Sequence, residues 1–162
     1  MHITRKVTDD LYWVGANDHR LALFENAYPI PRGVSYNAYL LLDEKTVLFD
    51  TVDWSGCRQL LENLDYLLAD RPLDYLVINH LEPDHAGSIE EVLIRYPNVK
   101  IISNEKAFML MRQFASSSIF STLPEKASCN FFNFSVTSSS FFCASLSACF
   151  MISCSFFPSP DT

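Results

Sequence analysis

The sequence predicts an α/β fold in which a mixed β-sheet carries helices on its outer face. Three observations support this prediction. Aromatic and β-branched runs with a polar turn come first, leucines at helical spacing follow, and two later apolar runs alternate with helical segments. Hairpins followed by β-α-β units indicate a mixed sheet. One helical layer leaves the other sheet face open, so we expect a second layer from elsewhere in this chain or from another chain.

The first strands are predicted at residues 11–14, 36–42 and 46–49, where aromatic and β-branched side chains are enriched. The polar stretch 43–45 separates the last two runs by a short turn. We therefore expect these two strands to form a hairpin.

Leucines recur at helical spacing after Ser55, which predicts a helix that runs to about residue 69. Ser55 is predicted to cap its N-terminus. Pro72 lies beyond its end, and residues 74–78 read as a buried strand.

Ser88 is predicted to cap a second helix, which ends before Pro97. Residues 99–102 form the next predicted strand, and residues 105–114 form a third helix. The alternation of strands and helices gives the β-α-β part of the predicted fold.

Composition and charge exclude several classes of protein. The 162 residues carry a net charge of -7, so there is no basic surface to neutralise nucleic-acid phosphates. The first residues lack the apolar core of a secretory signal, and we expect a cytoplasmic protein. The five cysteines form no CxxC pair, which favours free, reduced thiols.

The chain divides into two unlike parts, predicted as a globular segment at 1–115 and a low-complexity tail at 116–162. Residues 127–160 contain no charged side chain and are rich in Ser, Phe and Cys. The favoured interpretation is an aberrant, out-of-frame translation joined to a truncated gene, with the tail disordered or non-native. A membrane-associated segment at 141–157 and a divergent C-terminal half are the alternatives, and exposed apolar residues predict aggregation.

Four side chains that can bind metal ions lie within six residues, directly after the predicted strand at 74–78. They are His80, Glu82, Asp84 and His85. Pro83 disfavours a helical conformation at Glu82, so we expect an extended segment with His80, Glu82 and Asp84 on one side. His85 would then point elsewhere, towards a second metal ion. The alternative is a solvated polar loop that happens to contain histidines.

Two residues near the motif each have two possible interpretations. Asp50, at the end of a strand, either orients a ligand or caps the turn at residues 54–55. Asn79 either holds the loop through its side-chain amide or faces solvent. Residues given no chemistry are surface histidines, helix-start carboxylates and core or pocket-wall aromatics, namely His2, His19, Glu90, Glu91, Tyr28, Tyr36 and Trp54, although His19 could reach a pocket.

Residues 79–88 resemble the metal loop of flavodiiron proteins, a branch of the metallo-β-lactamase fold. Residues 31–33, 36–40 and 47–52 support the resemblance, which covers roughly residues 3–114. Hydrolases of the same fold typically carry histidine where Glu82 stands, so this residue favours iron redox chemistry over zinc hydrolysis.

The resemblance implies an αββα sandwich, of which only the first half is present here. It also implies a non-haem di-iron site that reduces dioxygen to water or nitric oxide to nitrous oxide. Residues matching His80 and Glu82 bind one iron in that family, and those matching Asp84 and His85 bind the other. No catalytic residue beyond these ligands is predicted. Electrons come from FMN in a flavodoxin-like domain, often fed by rubredoxin, and head-to-tail dimers are usual.

The sequence departs from the family pattern after the motif. No histidine follows His85, the only later aspartate is Asp161, and no FMN domain is recognisable. The chain alone is therefore expected not to turn over. A zinc-dependent metallohydrolase and a non-enzymatic fragment are the competing hypotheses.

Overall fold

The structure is a computed structural model that describes residues 2–24 and 26–114. Its main feature is a mixed six-stranded sheet, as the sequence predicts. The strands, in spatial order, are β1 (Arg5–Lys6), β2 (Leu11–Trp13), β7 (Tyr39–Leu42), β8 (Thr46–Phe49), β9 (Tyr75–Val77) and β10 (Lys100–Ile102). The first four pair antiparallel, while β8, β9 and β10 run parallel.

Two small two-stranded sheets accompany the large one. They pair β3 (Ala16–Asp18) with β6 (Val34–Tyr36), and β4 (Leu23–Phe24) with β5 (Tyr28–Pro29). The strand predicted at residues 36–42 is therefore divided between β6 and β7.

A close backbone contact explains this division. A Cβ atom on Gly15 would lie 2.0 Å from the backbone oxygen of Tyr36, so only glycine lets the chain approach β6 this closely. Trp13 donates its indole N–H to the Asn37 side chain at 2.9 Å, which holds the break between β6 and β7.

The described helices are α1 (Cys57–Leu68), α2 (Pro83–Ala86), α3 (Ile89–Arg95) and α4 (Glu105–Phe114). Among the described residues, no helix is long and apolar enough to cross a membrane. A 3-10 turn (Trp54–Gly56) leads into α1, and Asp53 caps this turn, because its carboxylate accepts from the Ser55 amide at 2.8 Å. The N-cap position of α1 itself is Gly56, so the predicted cap at Ser55 is wrong. Ser88 does occupy the N-cap position of α3, but its hydroxyl makes no capping bond there.

The helices pack on one face of the large sheet. Leu60 and Leu64 of α1, both fully buried, join Leu40, Leu48 and Leu76 from three neighbouring strands in one core. Side chains alternate along a strand, so a second set points to the opposite face. Its members Leu41, Val47, Phe49 and Val77 are buried as well. Both faces of the sheet therefore bear buried apolar side chains.

Other predictions have mixed outcomes. Cys57 is a buried free thiol, as predicted, and burial raises its pKa. Tyr36 is in the core, whereas Tyr28 is 66% exposed on a hairpin outside the main sheet. Of the two predicted positions, core or pocket wall, the core is therefore wrong for Tyr28. Trp54 is 64% exposed and lines an open groove along α1.

The predicted tail at 116–162 lies outside the described residues, and its boundary stays a prediction.

Candidate metal centre

The four candidate ligands lie on the segment that follows β9, beside the end of the parallel strand β8. Carboxyl ends of parallel strands commonly form ligand sites in α/β proteins. Glu82 is extended, with φ -67° and ψ 147°, as Pro83 requires of the residue before it. The extended prediction is wrong beyond Glu82, because Pro83 begins the short helix α2. Proline suits the first position of a helix, where its missing N–H costs no hydrogen bond.

The turn of α2 changes which side chains meet. His80 Nδ1 lies 3.6 Å from Glu82 Oε2, and His85 Nε2 lies 3.4 Å from Asp84 Oδ2. The rings of His80 and His85 are 4.2 Å apart between centroids. The predicted grouping of His80, Glu82 and Asp84, with His85 pointing elsewhere, is therefore wrong. The structure forms two His–carboxylate pairs whose histidines are adjacent.

The two pairs differ in exposure. The side chains of His80 and Glu82 are 42% and 66% exposed, whereas those of Asp84 and His85 are 17% and 14% exposed. The first pair is open to solvent and the second is largely enclosed.

Asp50 is an acidic residue at the end of β8 that contacts the candidate metal loop. It ends β8 in the left-handed region, at φ 56°, and is 3% exposed. Its carboxylate accepts hydrogen bonds from the Asn79 backbone and side-chain amides, each at 2.8 Å. Asn79 therefore holds the loop instead of facing solvent. Asp50 does not cap the turn at 54–55, which Asp53 caps.

Asp50 also faces the enclosed histidine. Its Oδ2 atom lies 3.5 Å from His85 Nδ1, which is an ion-pair distance rather than a hydrogen bond. Burial lowers the pKa of His85, but the attraction of Asp50, followed by Asp84 and Glu82, outweighs burial and raises it above the ordinary value. The His85 ring is thus flanked by carboxylates on both of its nitrogens.

The donors fit metal ions as two pairs rather than one cluster. Within residues 2–24 and 26–114, no group of three or more His, Cys, Asp or Glu side chains is arranged around one point. In the same part of the chain, Asp84 Oδ1 and His85 Nδ1 are buried without a hydrogen-bond partner. Buried polar atoms are normally satisfied, and an ion or water commonly explains the exceptions. Imidazole with carboxylate suits zinc and iron.

The remaining polar candidates lie outside this loop. His2 stacks on Tyr66, and His19 Nδ1 contacts the Arg32 carbonyl at 3.1 Å. Glu90 and Glu91 lie in the first turn of α3, as predicted. A cleft beside α1 is lined by residues including Trp13, Asp18, Arg20, Ser55 and Gln59, and none of the four candidate ligands lines it. Thr51 received no role from the sequence, although it contacts His85 directly.

Comparison with known proteins identifies the fold family. The model of the metallo-beta-lactamase superfamily matches residues 31–125, more than half of the chain. The chain belongs to the metallo-beta-lactamase superfamily. The predicted fold class is thereby confirmed, with the mixed sheet and its helices forming part of the family's domain.

Curated relatives narrow the branch of this superfamily. The chain is 40% identical over 103 residues to "Nitric oxide reductase" of Moorella thermoacetica, a match covering 63% of this chain and 26% of that protein. It is 42% identical over 100 residues to "Anaerobic nitric oxide reductase flavorubredoxin" of Pectobacterium atrosepticum, covering 61% and 20%. The chain thus matches about a quarter or less of the length of these relatives.

Solved structures that superpose on this chain indicate the same branch of the superfamily. Rubredoxin oxygen:oxidoreductase from Desulfovibrio gigas superposes with a TM-score of 0.64 at 35% identity, covering 70% of this chain and 29% of that one. A flavoprotein from Thermotoga maritima gives 0.65 at 30% identity, covering 70% and 30%. The metallo-beta-lactamase from Pontibacter korlensis, at 17% identity and a TM-score of 0.53 over 70% and 48%, shares the fold alone. The predicted resemblance to flavodiiron proteins is confirmed.

Proposed function

We propose that residues 80–85 provide half of the ligands of a non-haem di-iron centre. His80 and Glu82 would hold one iron, and Asp84 and His85 the other. The observation that carries this proposal is the arrangement of two His–carboxylate pairs side by side, with 4.2 Å between the histidine rings. The unsatisfied buried Asp84 Oδ1 supports it, because a cation beside that atom would satisfy its charge.

The protein to which this site belongs would be an oxidoreductase that reduces dioxygen to water or nitric oxide to nitrous oxide. The names of the relatives, a nitric oxide reductase and a rubredoxin:oxygen oxidoreductase, support this reaction class. Bound irons would supply the electron transfer by cycling between ferrous and ferric states. FMN and a rubredoxin-type donor are the proposed sources of electrons, and head-to-tail pairing of subunits stays a prediction.

This chain's residues would orient ligands and control protons. The Asp50 carboxyl group lies beside His85 Nδ1, which leaves Nε2, on the Asp84 side, as the nitrogen that would meet a metal ion. The open His80–Glu82 pair would be the side through which a small substrate and solvent protons arrive, since these side chains are the more exposed.

The 162 residues alone are proposed to bind iron without turnover. Iron needs more ligands than the two side chains that each pair supplies, and the sequence has no histidine after His85. The other two histidines contact different residues, because His2 stacks on Tyr66 and His19 contacts the Arg32 carbonyl. Water would fill the remaining ligand positions in the isolated chain, which weakens binding.

Zinc hydrolysis is the second candidate, favoured by the shared fold with a metallo-beta-lactamase. Glu82 argues against it, because a carboxylate in place of an imidazole shifts preference towards harder ions. An inert fragment is the third candidate. These three differ in which metal is bound and how tightly, so metal analysis separates them.

The test is anaerobic reconstitution of the full chain with ferrous iron, with and without equimolar zinc, followed by elemental analysis. We expect two irons per chain, of which Glu82→Gln removes one and Asp84→Asn removes the other. His19→Ala is the matched control, since His19 lies outside the loop and should leave both irons in place. Exclusive zinc binding with esterase turnover would favour the hydrolase, and no bound metal would favour the inert fragment.

A further inference from the structure

Thr51 makes an unusual double contact with the candidate metal loop. Its backbone N–H and its hydroxyl both donate to the backbone carbonyl of His85, each at 2.8 Å. Thr51 is fully buried, so these bonds are shielded from competition with water. One residue at the end of β8 thus supplies both donors to one carbonyl, 34 positions further along the chain.

The His85 carbonyl needs an external partner because α2 is only one turn long. The last carbonyls of a helix have no partner within it. Thr51 fills that role for His85, and the amide of Ser88 donates in turn to the Thr51 hydroxyl at 3.3 Å. The Ser88 hydroxyl donates to the Val52 carbonyl at 2.9 Å. The end of α2 is therefore tied to residues 51 and 52 by consecutive hydrogen bonds.

The segment that contains Asp50 and Thr51 also lies beside the imidazole ring of His85. Asp50, the neighbour of Thr51, faces Nδ1 at 3.5 Å, while Asp84 faces Nε2 at 3.4 Å. A shift of the His85 backbone would change both distances, because the ring is carried by that backbone. Thr51 therefore holds the backbone on which both distances depend.

We propose that Thr51 is a positioning residue for His85, whose hydroxyl holds the backbone so that Nε2 faces a metal ion beside Asp84. This inference rests on the proposed metal-binding function of the loop. Its mechanism is the orientation of a ligand by a neighbour that does not itself touch the metal, which typically affects affinity by about 10–100-fold.

The chain offers a matched control at the other end of β8. Thr46 is also fully buried, and its hydroxyl also bonds across the fold, to the Pro72 carbonyl and to Asp74. Thr46→Val and Thr51→Val each replace a hydroxyl by a methyl of similar size. Both should lower stability, but only the change at Thr51 should alter metal binding.

The experiment titrates the full chain and its variants with cobalt(II), followed by visible absorption. We expect Thr51→Val to weaken one of two binding steps by about 10–100-fold, Thr51→Ser to restore it, and Thr46→Val to leave it unchanged. If Thr51→Val does not fold, the smaller Thr51→Ala takes its place. Wild-type affinity in the hydroxyl-free variant, or no recovery with serine, would overturn the inference.

A metal-free readout separates this inference from the proposed function. The ¹⁵N resonances of the His85 ring in the apo chain should shift in Thr51→Val and return in Thr51→Ser. If the wild-type chain binds no cobalt, the proposed function fails, and the ring resonances alone decide the role of Thr51. Identical resonances in wild type and Thr51→Val would refute that role.

Discussion

Exchanging the two partners of the Asp50–Asn79 contact tests whether this pair holds the metal loop. Asp50→Asn removes the charge from the acceptor to which the Asn79 side chain donates at 2.8 Å, and leaves at most a neutral amide–amide hydrogen bond. Asn79→Asp instead places two carboxylates together. The double variant restores an amide-to-carboxylate bond with the roles reversed, and asparagine tolerates the φ of 56° at position 50.

The size of the effect follows from the contacts. A hydrogen bond to a charged group contributes about 1.5–3 kcal/mol and a neutral one about 0.5–1.5 kcal/mol. Each single variant should therefore lose about 2 kcal/mol of unfolding free energy, which at position 50 includes the lost attraction to His85. Independent losses would sum to about 4 kcal/mol in the double variant. We expect a total loss of about 1–2 kcal/mol instead. Some loss remains because the neutral amide introduced at position 50 no longer attracts His85, which lies 3.5 Å from the Asp50 carboxylate in the wild type.

Urea unfolding of the four metal-free proteins measures this coupling, provided that the m-value stays constant across them. The backbone N–H of residue 79 keeps its acceptor in every variant, since an amide oxygen can replace the carboxylate oxygen. Losses that add to within about 0.5 kcal/mol would show that the two side chains act independently, and the proposed support of the loop would be wrong.

Three further changes test other parts of the structure. Ala69→Gly should raise the unfolding free energy by about 0.5–1 kcal/mol, because φ 49° with ψ -106° strains any residue with a Cβ, and an unchanged urea midpoint would contradict this. Gly87→Ala should cost about 1–3 kcal/mol in the same assay, since its Cβ would lie 2.6 Å from the Pro83 backbone oxygen, and a neutral effect would mean that the loop yields. The backbone amide of Thr46, together with the side chains of Lys45 and Thr46, lowers the pKa of Asp74 below its ordinary value of 3.8. The ionised Asp74 therefore stabilises the fold above that pH, and this stabilisation disappears as the pH falls through the folded-state pKa. Asp74→Asn should reduce the loss of unfolding free energy at acid pH. An unchanged loss would show that other carboxylates cause it.

The order of strands and helices followed from local patterns in the sequence. The leucine spacing predicted α1, and the third predicted helix agrees with α4 at Glu105–Phe114. The division of the strand at residues 36–42 did not follow, because it depends on the approach of Gly15 to Tyr36 across the fold. Periodicity describes neighbours along the chain, and it contains no term for such a contact.

The residue types of the proposed metal site could be predicted from local sequence. The residue types of the candidate ligands, their position after a buried strand and the carboxylate at Glu82 are all readable from residues 79–88. Local rules also set Glu82 extended before Pro83. They do not tell how the chain continues after a proline, since that residue suits both an extended segment and a first helical turn.

The pairing of the candidate ligands could not be predicted, because it depends on contacts between distant parts of the chain. The turn at α2 puts Asp84 beside His85, and bonds from β8 hold that turn in place. Asp50 and Thr51 reach the loop from 29 and 34 positions away, so their contacts exist only once β8 and β9 lie side by side. Pairing in a parallel sheet is a long-range event with no local signal, which is why the supporting residues became visible only in the folded chain.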